Sequence, residues 1–118
     1  MSFSFPKKER IKSRQLIDRL FAEGESRKKF PLKALFLELD DAENHQATFA
    51  VPKRSFKHAV ARNRIKRQMK EAYRLQKNVL ISKNGKKLAI VFIYISKDKP
   101  QYAHLASSMG ALLQKVVS

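Results

Sequence analysis

The chain has no cysteine among its 118 residues. That excludes a disulfide framework, a cysteine nucleophile, an iron–sulfur cluster and a thiolate zinc site. Long apolar runs are missing as well. The longest, Leu88 to Ile95, is eight residues, against the ~20 that span a bilayer. Met1 to Phe5 runs directly into Pro6, Lys7 and Lys8, which leaves no stretch long enough for a secretory signal. These absences fit a soluble protein of a reducing, cytoplasmic compartment without a membrane partner. Carboxylates are scarce, ten in all, and there are three histidines. His45, His58 and His104 share no spacing suited to a metal site or an acid–base pair. A two-metal phosphodiesterase needs several converging carboxylates, so neither a protein-held metal nor an autonomous nuclease is expected.

Basic residues, by contrast, abound. There are 26 Lys and Arg, for a net charge of +16, and they are unevenly placed. Residues 1–43 hold 10 bases and 8 acids, a net of +2; residues 44–118 hold 16 bases and two acids, Glu71 and Asp98, a net of +14. A one-signed excess of this size repels itself, and a polyanionic partner relieves it. Nucleic acid fits better than an anionic membrane surface, because no helix pairs a basic face with an exposed bulky apolar one. The 43% of hydrophobic residues argues against disorder. A chain of this length forms one domain and buries roughly two-thirds of its unfolded surface.

The pattern predicts a basic N-terminal arm over residues 1–12 and a single domain over 13–118. Ser13 can cap a short helix that stops near Gly24. That helix carries two apolar rows at i, i+4 spacing, Leu16/Leu20 and Ile17/Phe21; one can face the core, and the other either widens that stripe or lines a cleft. Leu32 to Leu39 alternates, with Lys33, Leu35, Leu37 and Leu39 on one side and Leu32, Ala34, Phe36 and Glu38 on the other. Gln46 to Val51 alternates too, and the acidic turn Asp40–Asn44 between them predicts an antiparallel hairpin. A long helix is expected from His58 to Val79. After an Asn84–Gly85 turn, Lys87 to Ile95 is apolar on both sides, as a covered central strand is. A last helix starts near Pro100, with a core stripe from Tyr102 to Val116. The fold class is α+β, an α-β sandwich: helix, antiparallel strands, long basic helix, central strand, C-terminal helix.

Residues 53–74 hold nine Lys or Arg and one acid, Glu71. At 100° per residue, Ala61, Ile65, Met69 and Ala72 form a narrow apolar sector that docks on the sheet. Arg62, Asn63, Lys66, Arg67, Lys70, Arg74 and Lys77 spread over the other side. Arg62–Lys66, Lys66–Lys70 and Lys70–Arg74 are like-charged i, i+4 pairs, each unfavourable by a few tenths of a kcal/mol in a free helix. A merely solvated helix would interleave glutamates. Arginine forks grip phosphate and stack on bases, and Asn63 can bond a base edge or a sugar hydroxyl.

Ala59-Val60-Ala61-Arg62-Asn63-Arg64-Ile65-Lys66-Arg67 resembles the signature of the bacterial ribonuclease P protein subunit, an Arg-Asn-Arg core followed by Lys-Arg. Val51-Pro52-Lys53 before it, the Phe-bearing helix upstream, and the apolar strand and last helix downstream agree, so the resemblance spans residues 10–116. It implies an endoribonuclease holoenzyme in which a Mg²⁺-using RNA subunit is the catalyst and removes the 5′ leader of precursor tRNA. The protein, not itself catalytic and monomeric outside the holoenzyme, would help bind that RNA, the leader and the metal, with Mg²⁺ held mainly by the RNA. It further implies a left-handed β-α-β crossover, where general rules favour a right-handed one. By the resemblance, Arg62, Asn63, Arg64, Lys66, Arg67, Lys70 and Arg74 face the catalytic RNA, and Ile17, Phe21, Phe36 and Lys53 line a leader cleft between the first helix and the sheet. Family members often carry an aromatic at Ile17 and Arg at Lys70. A ribosomal or architectural RNA-binding protein would also account for charge and fold, but leaves the nine-residue motif without a reason.

Overall fold

The computed structural model describes residues 9–11, 13–40, 44–80 and 87–117. Helix α1 spans Arg14–Glu23, followed by strands β1 (Glu25–Lys29), β2 (Leu32–Leu39) and β3 (Gln46–Ala50). Helix α2 (Ala59–Gln76) runs into a 3₁₀ turn at Lys77–Val79; β4 (Lys87–Tyr94) and α3 (Tyr102–Val117) complete the chain. The protein is thus α+β, with three α-helices and one mixed sheet among the described residues.

Local chemistry sets the helix ends. The Ser13 side chain accepts a hydrogen bond from the Leu16 amide at 3.2 Å, satisfying one of the free donors of α1. At the other end Gly24 N–H bonds the Leu20 carbonyl at 3.0 Å. A Cβ at Gly24 would lie 2.4 Å from that oxygen, so only glycine allows the chain to turn into β1 there.

The strand order is β1-β2-β4-β3. β2 runs antiparallel to β1 and β4, whereas β3 is parallel to β4. The hairpin expected between Leu32–Leu39 and Gln46–Val51 therefore does not exist: β4 lies between the two. Alternation tells which side chains share a face, but says nothing about which strand is the neighbour. The strand apolar on both faces takes the interior, where both faces are covered. β3, α2 and β4 form the parallel crossover to which the resemblance attaches its unusual hand.

The two faces carry separate cores. Under α2 and α3 lie Leu32, Ala34, Phe36, Ile90, Phe92 and Tyr94, packed with Ile65, Met69, Tyr73, Leu105 and Leu112. Phe92 stacks on Phe49 at 5.5 Å between centroids and meets Tyr73 at 5.4 Å. Burial pushes the Tyr73 phenol well above its ordinary range. Gln76 ties the two helices together, its amide donating to the Ala106 carbonyl at 2.9 Å. Under α1, the smaller core holds Ile11, Leu20, Leu35, Ala89 and Val91.

The arm expected over residues 1–12 is already packed from Glu9 to Ile11. Arg10 bridges Ala47 in parallel, Ile11 is buried, and Glu9 pairs with Lys77 at 2.8 Å. Residues 1–8 and 12 lie outside the described residues, as do most of the expected Asp40–Asn44 turn and the Asn84–Gly85 turn. β1 was not foreseen, because Glu-Ser-Arg-Lys-Lys has no apolar residue to alternate; it forms as an exposed edge paired to β2 through its backbone.

Candidate nucleic-acid interface

Helix α2 buries Ile65, Met69, Ala72 and Tyr73, the sector expected from its periodicity with Tyr73 added and Ala61 only half-buried. That packing orients its cations. Asn63, Arg64 and Arg67 are exposed, and Lys66 and Lys70 half-buried at one flank. Those two lysines line a cavity of about 260 Å³ with Arg10, Ile11, Thr48 and Phe49 on the β3 edge. None of Arg64, Lys66, Arg67 or Lys70 has a carboxylate partner among the described residues. Four unpaired cations on one helix leave a field that phosphates neutralise.

The other basic residues of this helix are engaged within the protein. Arg62 does not join the outer side: its Nη1 donates to the carbonyls of Phe56 and Lys57, 2.8 Å each. It lies toward the loop that leads into α2 and fastens that loop where His58, the N-cap residue, makes no side-chain cap. Arg74 pairs with Glu71, Nε to Oε2 at 3.0 Å, and this hydrogen bond holds the Glu71 carboxyl below its usual range. Lys77 is held by Glu9. The acids of this region therefore neutralise the C-terminal end of the cationic helix and leave its middle bare.

On the opposite face of the sheet, α1 buries Leu20 fully, half-buries Leu16 and Ile17, and leaves Phe21 57% exposed. The two apolar rows thus divide: Leu16/Leu20 is core, while the second row begins against the sheet at Ile17 and ends in solvent at Phe21. Register places Lys33, Ile93 and Ala50 side by side on this face, beyond the part that Leu35 and Val91 fill under α1. Lys53 is exposed just past the end of β3. Ile17, Phe21 and Lys53 can belong to one groove. Phe36 cannot: it is 5% exposed and packed in the core beneath α3 and α2. Alternation from Lys33 puts it on the other face, and its ring carries the Arg27 guanidinium at 5.2 Å. Lys33, not among the residues expected for the cleft, lies on this face as well; its signal is a lysine on the side of Leu35, Leu37 and Leu39.

No group of three or more His, Asp or Glu among the described residues could hold a metal ion. His45 is engaged otherwise, its Nδ1 accepting the Leu88 amide at 3.0 Å. Burial and the nearby Lys87 lower its pKa. No described helix is long and apolar enough to cross a membrane.

Comparison with known proteins decides the family, since the ribonuclease P family matches residues 5–117. The chain belongs to the ribonuclease P protein family. A ribonuclease P protein component of Chlorobium phaeobacteroides is 34% identical over 128 residues, covering 96% of this chain and 88% of that protein. One from Porphyromonas gingivalis is 29% identical over 98% of this chain and 88% of its own. The fold is that of the Staphylococcus aureus ribonuclease P protein, with a TM-score of 0.78 at 20% identity over 92% of this chain and 94% of that one. The Thermotoga maritima protein gives 0.76 at 23% identity over 91% and 96%. Membership in the ribonuclease P family brings tRNA processing and RNA binding with it.

Proposed function

We propose that this protein is the subunit that docks the catalytic RNA of ribonuclease P on α2 and holds the 5′ leader of precursor tRNA in the groove beside α1. The observation that carries this reading is the set of four cations, Arg64, Lys66, Arg67 and Lys70, without carboxylate partners among the described residues. Asn63, exposed between Arg62 and Arg64, adds an amide able to read a base edge or a 2′-hydroxyl. Beside α1, a single strand meets the Phe21 ring as a stacking face and Lys33 and Lys53 as phosphate partners, the combination that holds unpaired nucleic acid. The protein supplies binding and position. Among the described residues no group of three or more His, Asp or Glu could hold a metal ion; in this reading the Mg²⁺ is held mainly by the RNA, whose phosphates are its natural ligands. The protein is a cytoplasmic monomer until it joins the RNA.

Reconstitution tests the reading. Protein, catalytic RNA and precursor tRNA are combined at low Mg²⁺, and 5′ cleavage should require the protein and the RNA together. Cleavage by the protein alone would overturn the division of labour. Binding to ribosomal RNA in preference to both the catalytic RNA and the precursor tRNA would replace it with an architectural role.

A further inference from the structure

One end of the sheet gathers features that neither α2 nor the α1 groove uses. There the turn Phe30–Pro31 joins β1 to β2, and β4 leaves the sheet toward α3. The backbone of this turn is tied down on two sides. Buried Ser108 of α3 donates to the Phe30 carbonyl at 3.1 Å, and the Ile95 amide donates to the Pro31 carbonyl at 2.8 Å. The Phe30 ring nevertheless stays 57% exposed, although an apolar ring gains by burial. Held in place and left open, it forms one wall of a cavity of about 210 Å³ shared with Tyr94, Asp98, Lys99, Gln101 and His104.

That volume is below the roughly 300–1,000 Å³ of sites that take whole small molecules; it suits a single ring system. Its walls pair the exposed Phe30 ring with an amide, an imidazole and a carboxylate, the groups that bond the edges of an unstacked base. The charge outside suits phosphate. Lys29, Lys97 and Lys99 are exposed and have no carboxylate partner among the described residues. The cavity also borders the α2 surface. Lys99 and Pro100 line it and also a second cavity, of about 420 Å³, whose other walls include His58, Val60, Arg64 and Gln68, so the two residues stand as a ridge between the cavities.

We propose that the Phe30 cavity is a binding site for one unpaired nucleobase of the RNA that lies along α2, stacked on Phe30 with its flanking phosphate on Lys99. The inference rests on the reading of α2 as the catalytic-RNA surface and extends that surface across the β4–α3 loop to the far side of the Lys99–Pro100 ridge. Phe30 is here a sequence-tolerant stacking platform. Gln101 and His104 give it whatever base preference it has.

The test measures affinity of the full-length protein for the catalytic RNA across a salt series. Phe30→Ala should weaken binding about 5- to 160-fold, the range for one stacked base, and leave the salt slope unchanged. Phe30→Trp should restore it. Lys99→Gln should lower the salt slope by ~0.7–0.9. Arg67→Ala is the reference. If it weakens binding and Phe30→Ala does not, the base site is wrong and the α2 reading stands; if neither changes affinity, the α2 reading itself falls. A direct readout covers the case of a destabilised variant. RNA carrying 4-thiouridine is irradiated with the wild-type protein, and the crosslinked peptides are identified. Crosslinks at Phe30 support the site, and their absence from residues 28–31 and 98–104 overturns it.

Discussion

On one face of the sheet two helices close a core in which Leu32, Phe92, Leu105 and Leu112 have no solvent contact. On the other, the ten-residue α1 seals Leu20 and Val91 and stops, with Phe21 mostly in water. Both faces are apolar under their helices, but on the second the single short helix leaves Lys33, Ile93 and Ala50 side by side and half-buried. Full coverage serves stability. A strand bound beside α1, as proposed, would meet residues the sheet already holds in place, so little ordering would be needed.

Two phenylalanines, one on each face, sharpen this contrast most. Phe36→Ala on the closed face should lower stability by ~3–5 kcal/mol, with the ratio of affinities for precursor and mature tRNA unchanged; urea unfolding and paired binding titrations measure both. Phe21→Ala on the open face should leave the unfolding midpoint nearly where it is and weaken leader-bearing precursor tRNA alone by ~1–3 kcal/mol. If Phe21→Ala instead unfolds the protein without loss of leader selectivity, the open face is an ordinary core.

A smaller contrast lies within α2. Arg62→Ala removes bonds to the Phe56 and Lys57 carbonyls and should lower stability by about 1–2 kcal/mol, while the salt slope for RNA binding holds. Arg67→Ala should do the reverse, sparing stability and reducing the slope by ~0.7–0.9. Equal effects of the two on the salt slope would return Arg62 to the RNA surface.

The smallest expected effect concerns pH. Burial and Lys87 lower the His45 pKa in the folded protein, so the unfolded chain takes up its proton first as pH falls below ~6.5. Stability should be complete above that value and decline below it, because a protonated Nδ1 cannot accept the Leu88 amide. His45→Asn keeps an acceptor without the titration. A flatter stability profile between neutral and mildly acid pH in this variant, by urea midpoints, checks the assignment.

The helices were legible in the sequence because helical periodicity converts spacing directly into a face. Ile65, Met69 and Ala72 could only point one way once α2 was assumed, and Ser13 and Gly24 marked both ends of α1. The sheet was harder. Alternation separated Lys33 and Leu35 from Phe36, which was enough to place Phe36 opposite the groove, yet the family resemblance drew it into the cleft. Neighbour relations were not encoded locally: nothing in residues 32–51 says that a strand forty residues later will lie between them. β1 left no trace because an exposed edge strand needs only backbone partners. Arg62 was misplaced for another reason, since its carbonyl partners belong to a loop whose path no spacing rule describes.

The position of β4 in the sheet has a consequence for how the chain is made. Residues 87–94 are the partner of both β2 and β3, yet they come after every other strand and after α2. During synthesis the β1–β2 hairpin and α2 can form from neighbouring residues, but neither core can close until β4 has left the ribosome. Before then the cationic helix has no sheet to dock on, and its apolar side is open to solvent. Folding is therefore expected to be all-or-none, deferred to the last quarter of the chain. A fragment ending at Leu80 should show little protected backbone by hydrogen exchange, although it contains nearly every residue assigned to the RNA.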